Sequence, residues 1–255
     1  MKLITAATCP IYSGRLILVN REHPCREIPP AHSLAAVNGN DGVLLERRAA
    51  ALFHMLMNDI DGWTQILPVS GWRSQGEQQH IWDRSMEENG ADFTQKYVAL
   101  PGHSEHQTGF AIDLGLLREK LDFIRPHFPD SGICQTFREK AARYGFIQRY
   151  PAGKEKITGI AYEPWHFRYV GMPHAEIMAK MGLTLEEYHL YLKKFPYGKR
   201  PLIYRKKKQR IQISYLPAKS GCAAAIADEL HLPYTLSGNN IDGYILTVWP
   251  DGRSV

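Results

Sequence analysis

Four side chains in two short segments of this chain have the types and spacing of a metal site. His106 and Asp113 stand on either side of a bend at residues 108–109, and His166 follows later with Glu163 three residues before it. A catalytic zinc site needs three protein ligands with nitrogen or oxygen donors, one position for water and a nearby carboxylate that is not a ligand. The sequence offers a candidate for each of these parts.

Each signal taken alone has an ordinary structural explanation. A His and an Asp at this spacing occur by chance in many chains, and Glu-x-x-His more often marks a helix surface or a strand end than a metal site. His166 by itself fits a core histidine that bonds a backbone carbonyl. It is the joint pattern that indicates a metal site.

The joint pattern also resembles a known family. The string SEHQTGFAID at residues 104–113, followed by EPWH at 163–166, is similar to the zinc D,D-peptidases of the VanY and VanXY type. The resemblance covers about residues 16–195 and includes SGWRS, which contains Arg73, and Gln78 five residues later. It does not extend to the C-terminal tail.

The resemblance implies roles for seven residues. In these roles His106, Asp113 and His166 bind Zn²⁺, Glu163 is the general base, Arg73 polarises the scissile carbonyl, and Gln78 and Ser104 contact substrate. Zinc lowers the pKa of a bound water from about 15.7 toward about 7, so a carboxylate can take its proton at neutral pH. Arginine is always charged and suits the negative oxygen of a tetrahedral intermediate.

The activity implied by the resemblance is hydrolysis of the bond between two D-residues. The substrates are D-Ala-D-Ala, the peptidoglycan precursor pentapeptide that ends in it, or both, and in VanXY members this reaction supports resistance to glycopeptides such as vancomycin. One alternative is an L,D-carboxypeptidase or a peptidoglycan endopeptidase of the same fold. Another is a binding protein that keeps zinc but does not turn over substrate. The presence of Glu163 and Arg73, the catalytic residues implied by the resemblance, argues against it.

Composition favours a soluble globular protein, and the resemblance implies that its partner is a small peptide. The 255 residues are 44% hydrophobic and 22% charged. The formal net charge is +5, but seven positive charges lie within residues 199–210, so the remainder carries −2. A basic run this short is more often a solvated edge than a phosphate-binding surface, and we expect no nucleic-acid partner.

The chain's apolar runs and cysteines predict where it works. No stretch is long enough to span a membrane, and the N-terminal region lacks the apolar core of a signal peptide. The four cysteines are far apart and form no CxxC pair, which is typical of reduced thiols. We therefore expect a cytoplasmic protein without a membrane anchor, in this respect more similar to VanXY than to VanY.

The elements that must position these residues predict an α+β fold. A strand that begins at Ile66 delivers Arg73 at its end, and Ser74 can cap a helix over 75–89. Residues 110–114 and 163–171 alternate as strands that carry Asp113 and His166. Alternation alone places Glu163 and His166 on opposite faces, so we expect the turn at Pro164 to bring both into one cleft.

The chain divides in the sequence into a catalytic domain over residues 1–198 and a small α+β extension over 199–255. In the first, a small antiparallel sheet carries the zinc site and helices pack on it. Short apolar runs at 16–20 and 157–160 predict further strands there, and the Ala-rich run 221–230 predicts a helix between strands in the extension. The oligomeric state and the role of the extension are left open.

Overall fold

The computed structural model describes residues 2–4, 10–38, 42–117, 122–218, 224–226 and 232–251. The chain forms two compact units. The larger unit is Val19–Thr184, and the smaller unit combines Met1–Leu18 with Leu185–Val255. The functional boundary that we place at residue 198 stays a prediction.

The described residues form helices and strands in both units. The α-helices are α1 Arg47–Asp59, α2 Gln75–Asn89, α3 Ala91–Tyr97, α4 Gly132–Ala141, α5 Glu155–Thr158, α6 His174–Met181 and α7 Leu185–Leu192. The strands are β1 Lys2–Ile4, β2 Leu34–Ala36, β3 Leu44–Glu46, β4 Ile66–Ser70, β5 Ala111–Leu116, β6 Phe146–Tyr150, β7 Glu163–Tyr169, β8 Leu202–Lys206, β9 Gln209–Pro217, β10 Ala224–Ile226, β11 Tyr234–Gly238 and β12 Gly243–Val248. Short 3-10 helices lie at Ala31–Ser33, Gly62–Thr64, Glu105–Thr108 and Ala142–Tyr144.

A four-stranded antiparallel sheet in the order β4-β5-β7-β6 is the framework of the larger unit. A separate short antiparallel pair joins β2 and β3. The helices and the small antiparallel sheets confirm the α+β fold class. In the register of the central strands, Asp113 of β5 pairs directly with His166 of β7.

One face of this sheet is apolar and packs on α1 and α4. Because side chains alternate along a strand, Trp165, Phe167 and Tyr169 of β7 enter the core, whereas His166 and Arg168 point to the opposite face. The alternation predicted for this strand is therefore correct. The polar side chains of the sheet therefore lie on the face opposite the core.

The pairing of β7 with β6 is irregular near the beginning of β7. Gln148 pairs with Phe167, but Tyr150 pairs with Glu163, so β7 advances four residues where β6 advances two. Such a bulge breaks the strict alternation of a strand. It explains how Glu163 and His166 come to line the same cavity, as the sequence requires of the segment around Pro164.

Helix α2 begins where the sequence places its cap. The Ser74 hydroxyl accepts from the backbone N–H of Glu77 at 3.2 Å, and the Glu77 carboxylate accepts from the backbone N–H of Ser74 at 2.8 Å. This reciprocal capping box satisfies two amides that the helix leaves unbonded. It fixes the corner between β4 and α2, where Arg73 lies.

In the smaller unit, strands β11-β12-β9-β8 form an antiparallel sheet, β1 pairs with β10, and α7 contacts β9. The helix predicted over 221–230 lies largely outside the described residues, and the described part, Ala224–Ile226, is a strand. Among the helices that the structure describes, none combines the length and the apolar character needed to cross a lipid bilayer.

Two further strand predictions are wrong. Residues 16–20 contribute buried apolar side chains but pair in no sheet. Residues 155–158 form the short helix α5, which ends at Gly159 with a φ of +74°. A short apolar run reports burial, and burial alone does not distinguish a strand from a turn of helix.

Phe137 of α4 is the test of this core. Its ring contacts those of Phe53, Phe128 and Phe167 at centroid distances of 6.1, 5.9 and 4.8 Å. We expect Phe137→Ala to lower the free energy of unfolding by about 3 to 5 kcal/mol in urea denaturation, because it leaves a cavity between three rings. Phe123→Ala is the control, since Phe123 is 70% exposed, and it should change stability by no more than about 0.5 kcal/mol. Equal effects of the two changes would contradict this view of the core.

Candidate active site

Three predicted ligands converge on the polar face of the sheet. His106 lies in the 3-10 turn Glu105–Thr108, Asp113 lies on β5 and His166 lies opposite it on β7. One ligand atom from each residue can be chosen so that all lie within 4.8 Å of one another, and the three residues are buried. This is the donor set, two imidazoles and a carboxylate, of a catalytic zinc site with one position left for water.

The outer contacts of His106 turn one of its ring nitrogens toward the cluster. Its Nδ1 lies 2.7 Å from the carbonyl oxygen of Gly71, which can only accept, so Nδ1 carries the proton. Its Nε2 then faces Asp113, 3.1 Å from Oδ2. A hydrogen bond at the second nitrogen is how proteins fix the tautomer and orientation of a metal-binding histidine.

His166 meets the same carboxylate from the other side. Its Nδ1 lies 2.9 Å from Asp113 Oδ1, and its ring stands edge-on to that of His106, with an interplanar angle of 85°. Each oxygen of Asp113 therefore faces one imidazole. The three side chains surround a point that both rings and the carboxylate can reach.

The turn that carries His106 depends on Gly109. This glycine follows the turn with a φ of +73°, and a Cβ there would lie 3.0 Å from a methyl carbon of Leu34. Its carbonyl oxygen also accepts from the backbone N–H of Glu46 at 2.8 Å. A left-handed residue in close contact on one side favours glycine, and it lets the chain pass from the turn directly into β5.

Charges inside the cluster are strongly coupled. Burial opposes ionisation of Asp113, but the two imidazoles outweigh it and hold the pKa of this carboxyl well below its usual range. Burial likewise favours the neutral form of His166, yet the Asp113 carboxylate raises its pKa to about 10. The site is thus built around the negative charge of the Asp113 carboxylate. A divalent cation can neutralise this charge in place of the imidazolium proton.

Glu163 provides a carboxylate beside the cluster without belonging to it. It is buried, and its Oε2 lies 3.8 Å from His166 Nδ1. Burial raises the pKa of Glu163 to about 8, and the neighbouring carboxylates of Asp113 and Glu105 act in the same direction. A group of this kind can take up and release a proton near neutral pH.

Arg73 is held at the edge of the same cavity by three polar groups. Its guanidinium donates to Gln78 Oε1 and to Ser70 Oγ, both at 2.7 Å, and lies 3.9 Å from Asp113 Oδ2. Gln78 in turn donates to the carbonyl of Ala99 at 2.7 Å. Arg73 is therefore a positioned cation at the site, with Gln78 as one of its supports.

A single cavity of about 370 Å³ in the larger unit contains all seven predicted site residues along its wall. These are Arg73, Gln78, Ser104, His106, Asp113, Glu163 and His166. Further lining comes from α2, from α3 and from residues 122–124. The volume falls at the lower end of the range for sites that bind small molecules.

Three further lining residues, Glu105, Tyr150 and Trp165, were not assigned to the site from the sequence. Glu105 lies inside the motif, between the predicted substrate residue Ser104 and the predicted ligand His106. This position is the sequence feature that indicates a place in the site. The Arg168 guanidinium pairs with the Glu105 carboxylate, since its Nη1 lies 2.9 Å from Glu105 Oε1. His103, in contrast, places its Nδ1 2.8 Å from the carbonyl oxygen of Asn20 and is absent from the metal-binding group.

Comparisons with known proteins identify the family. Residues 42–172 match VanY, the D-alanyl-D-alanine carboxypeptidase family. The chain is 45% identical over 179 residues to the bifunctional D-Ala-D-Ala dipeptidase and D-Ala-D-Ala carboxypeptidase VanXYC of Enterococcus gallinarum, a match that covers 69% of this chain and 94% of that protein. The chain belongs to the VanY family. The resemblance predicted from its motifs is confirmed, and the protein is a peptidase.

Other VanY-family members extend the match. A D-alanyl-D-alanine carboxypeptidase of Enterococcus faecium is 32% identical over 254 residues, which cover 94% of this chain and 77% of that protein. The crystal structure of the vancomycin-resistance D,D-dipeptidase VanXYg, in complex with a D-Ala-D-Ala phosphinate analogue, is 45% identical with a TM-score of 0.87 and covers 94% of this chain and 95% of that one. A VanY variant from a VanB-type resistance cassette, solved with Zn(II), is 32% identical with a TM-score of 0.57 and covers 69% of this chain and 98% of that one.

The ligand geometry predicts the effect of removing one imidazole. We expect His106→Ala to lose bound zinc, measured by elemental analysis after dialysis, because two donors remain of the three needed to hold the ion. His103→Ala is the matched control and should keep the metal content of the original protein, since its ring bonds the Asn20 carbonyl instead. A full zinc complement in His106→Ala would remove this residue from the ligand set.

Proposed function

We propose that this VanY-family peptidase is a zinc enzyme that hydrolyses D-Ala-D-Ala and removes the terminal D-Ala of the peptidoglycan precursor pentapeptide. The observation that carries the proposal is the convergence of His106, Asp113 and His166, with the Glu163 carboxylate beside them and outside the ligand set. VanXYC is a D-Ala-D-Ala dipeptidase and D-Ala-D-Ala carboxypeptidase, and VanXYg is a D,D-dipeptidase. The donor set fits zinc, because imidazole and carboxylate are its usual ligands at catalytic sites.

Glu163 is the proposed general base and general acid. A zinc ion held by the three ligands would act there as a Lewis acid and would lower the pKa of a water molecule at the site. Glu163 takes one proton from the attacking water as the water oxygen adds to the scissile carbonyl carbon. When the C–N bond breaks, the same carboxyl gives a proton to the leaving amine. In the metal-free site burial raises the pKa of Glu163 to about 8, and a cation bound beside it would lower that pKa toward the range in which the carboxylate can accept a proton at neutral pH.

Arg73 is the proposed partner of the carbonyl oxygen, which becomes negative as water adds. Its guanidinium is fixed by Gln78 and Ser70, so little reorganisation is needed when charge develops. Ser104 and Gln78 line the cavity near it and are proposed to contact the substrate. Gln78 would then serve both the arginine and the peptide.

The cytoplasm is the proposed location. The two cysteines that the structure describes, Cys25 and Cys134, are free thiols, which fits a reducing compartment. There the enzyme would meet free D-Ala-D-Ala and the soluble precursor. Removing D-Ala-D-Ala termini would support resistance to glycopeptides, the role named for VanXYg.

An L,D-carboxypeptidase is the second candidate, because the structure of the LD-carboxypeptidase LdcB also resembles this chain. That match has 29% identity and a TM-score of 0.59, and it covers 74% of this chain and 93% of that one. The match to VanXYg is higher in identity and in TM-score, so we favour the D,D-peptidase.

A substrate panel separates the two. Purified zinc-loaded protein is incubated with D-Ala-D-Ala, with the precursor pentapeptide and with the tetrapeptide, and the products are identified by mass spectrometry. We expect D-Ala from the first two substrates and an intact tetrapeptide, because the D,D-peptidase cleaves only between two D-residues. Cleavage of the tetrapeptide alone would overturn the substrate assignment in favour of the L,D-carboxypeptidase.

The role of Glu163 predicts a specific separation of binding from turnover. We expect Glu163→Gln to keep its zinc but to lower kcat on D-Ala-D-Ala by about 10²- to 10⁴-fold, the usual contribution of a general base. Glu139→Gln, at an exposed position of α4, is the control and should leave both quantities unchanged. Near-normal turnover in Glu163→Gln would assign the base to another group.

A further inference from the structure

Behind the candidate metal site lies a cluster of buried charges that the proposed reaction does not use. The side chains of Glu105, Arg149 and Arg168 are each 0% exposed. Arg149 Nε donates to Glu105 Oε1 at 2.8 Å, and Arg168 Nη1 lies 2.9 Å from the same oxygen. Two guanidinium groups thus converge on one carboxylate oxygen, and the other oxygen, Oε2, points elsewhere.

Glu105 Oε2 faces the ring of the ligand His166. It lies 3.5 Å from His166 Nε2, and neither atom has a hydrogen-bond partner among the residues that the structure describes. A buried acceptor and a buried ring nitrogen left unpaired are costly, and buried polar atoms in folded proteins are nearly always paired. These two atoms are complementary, and a shift of a few tenths of an ångström brings them to hydrogen-bond distance.

We propose that Glu105 is a positioning residue for His166, with Oε2 accepting the Nε2–H of the ring so that Nδ1 is directed at Asp113 and the metal. The inference rests on the metal site of the proposed function. It assigns a task to the carboxylate between Ser104 and His106, which carries no role in the reaction itself. In metal sites generally, a carboxylate on the far nitrogen of a ligand histidine fixes its tautomer and orientation.

The two arginines explain why this carboxylate can act as a fixed support. Arg149 lies on β6 and Arg168 on β7, so Glu105 is held to two neighbouring strands of the sheet. The Arg149 guanidinium also lies over the ring of Tyr150, 4.9 Å from its centroid, and that ring lies 4.9 Å from the ring of His166. His166 is therefore held at its Nε2 edge by Glu105 and on one face by Tyr150.

A purely structural role is the alternative, in which the cluster only satisfies buried charges. The two roles differ in what a small displacement of the carboxylate does. Glu105→Asp keeps the negative charge between the arginines but shortens the side chain by one methylene. The second carboxylate oxygen then no longer reaches the His166 ring. A structural role predicts a change in thermal stability alone, whereas a positioning role predicts weaker metal binding as well.

The experiment measures metal binding in the full chain without any substrate. Zinc affinity is measured by competition with a chromophoric chelator, and Co²⁺ is substituted for zinc to record the absorption spectrum of the site. We expect Glu105→Asp to weaken zinc binding by about 10- to 100-fold and to change the Co²⁺ spectrum, as is usual when the outer partner of a ligand is lost. Glu139→Asp on the exposed side of α4 should leave both unchanged.

Arg168→Lys is the matched variant from the other side of the cluster. It keeps a positive charge near Oε1 and leaves Oε2 at the ring, so we expect a lower melting temperature with zinc affinity near that of the original protein. Wild-type affinity and an unchanged Co²⁺ spectrum in folded Glu105→Asp would overturn the proposal. So would equal losses of affinity in Glu105→Asp and Arg168→Lys.

A measurement on the unaltered protein covers the case in which Glu105→Asp does not fold. In the zinc-loaded protein, nitrogen-15 NMR of the histidines should show His166 protonated at Nε2, with a deshielded proton protected from exchange. A ring protonated at Nδ1, or an Nε2 proton in fast exchange, would refute the assignment. Failure of the proposed function is a separate result, because it appears as normal zinc binding with no cleavage of either D-Ala-D-Ala substrate.

Discussion

The site depends on one carboxylate held between two imidazoles. Asp113 receives His106 at one oxygen and His166 at the other, and this arrangement follows from the pairing of Asp113 with His166 across β5 and β7. A shift of one residue in that register would turn one of the two side chains into the apolar core. The close contacts at Gly109 and the bond from His106 to the Gly71 carbonyl then fix the remaining ligand. The convergence of the three predicted ligands is thus a consequence of sheet register.

The two faces of the same sheet have opposite demands. The apolar face packs its aromatic rings against α1 and α4, whereas the polar face must bury charges, and a buried charge is tolerated only when it is paired. Asp113 and Glu105 meet this condition through imidazoles and guanidiniums. Glu163 meets it least, which is why burial raises its pKa to about 8. The carboxyl with the weakest compensation is thus the one with the raised pKa, and a pKa near neutrality is the property that its proposed role as general base requires.

The sequence predicts the residues of the candidate site better than it predicts the backbone structure that connects and positions them. The three predicted ligands converge as expected, and the alternation predicted over residues 163–171 holds along β7, where Phe167 enters the core. Alternation fails at Glu163, because a bulge against β6 is set by tertiary pairing and leaves no local signature apart from Pro164. The apolar run at 157–160 belongs in part to a helical turn, since hydrophobicity reports burial and not backbone geometry. The pairing of Glu105 with Arg149, 44 residues away, is beyond any pattern of spacing.

Ligand geometry by itself does not determine which peptide is cleaved. LdcB, an LD-carboxypeptidase, shares this fold at a TM-score of 0.59, and VanXYg, a D,D-dipeptidase, does so at 0.87. A sheet that carries a metal and a base activates water in the same way for either bond, so the choice must come from groups that contact the substrate farther from the reacting atoms. In this chain the lining residues of the cavity on α2, on α3 and at residues 122–124 are the candidates for such groups, and all lie outside the sheet that carries the predicted ligands. Residues on these surface elements can change without disturbing the register that holds the ligands, which allows one catalytic centre to serve several stereochemical specificities.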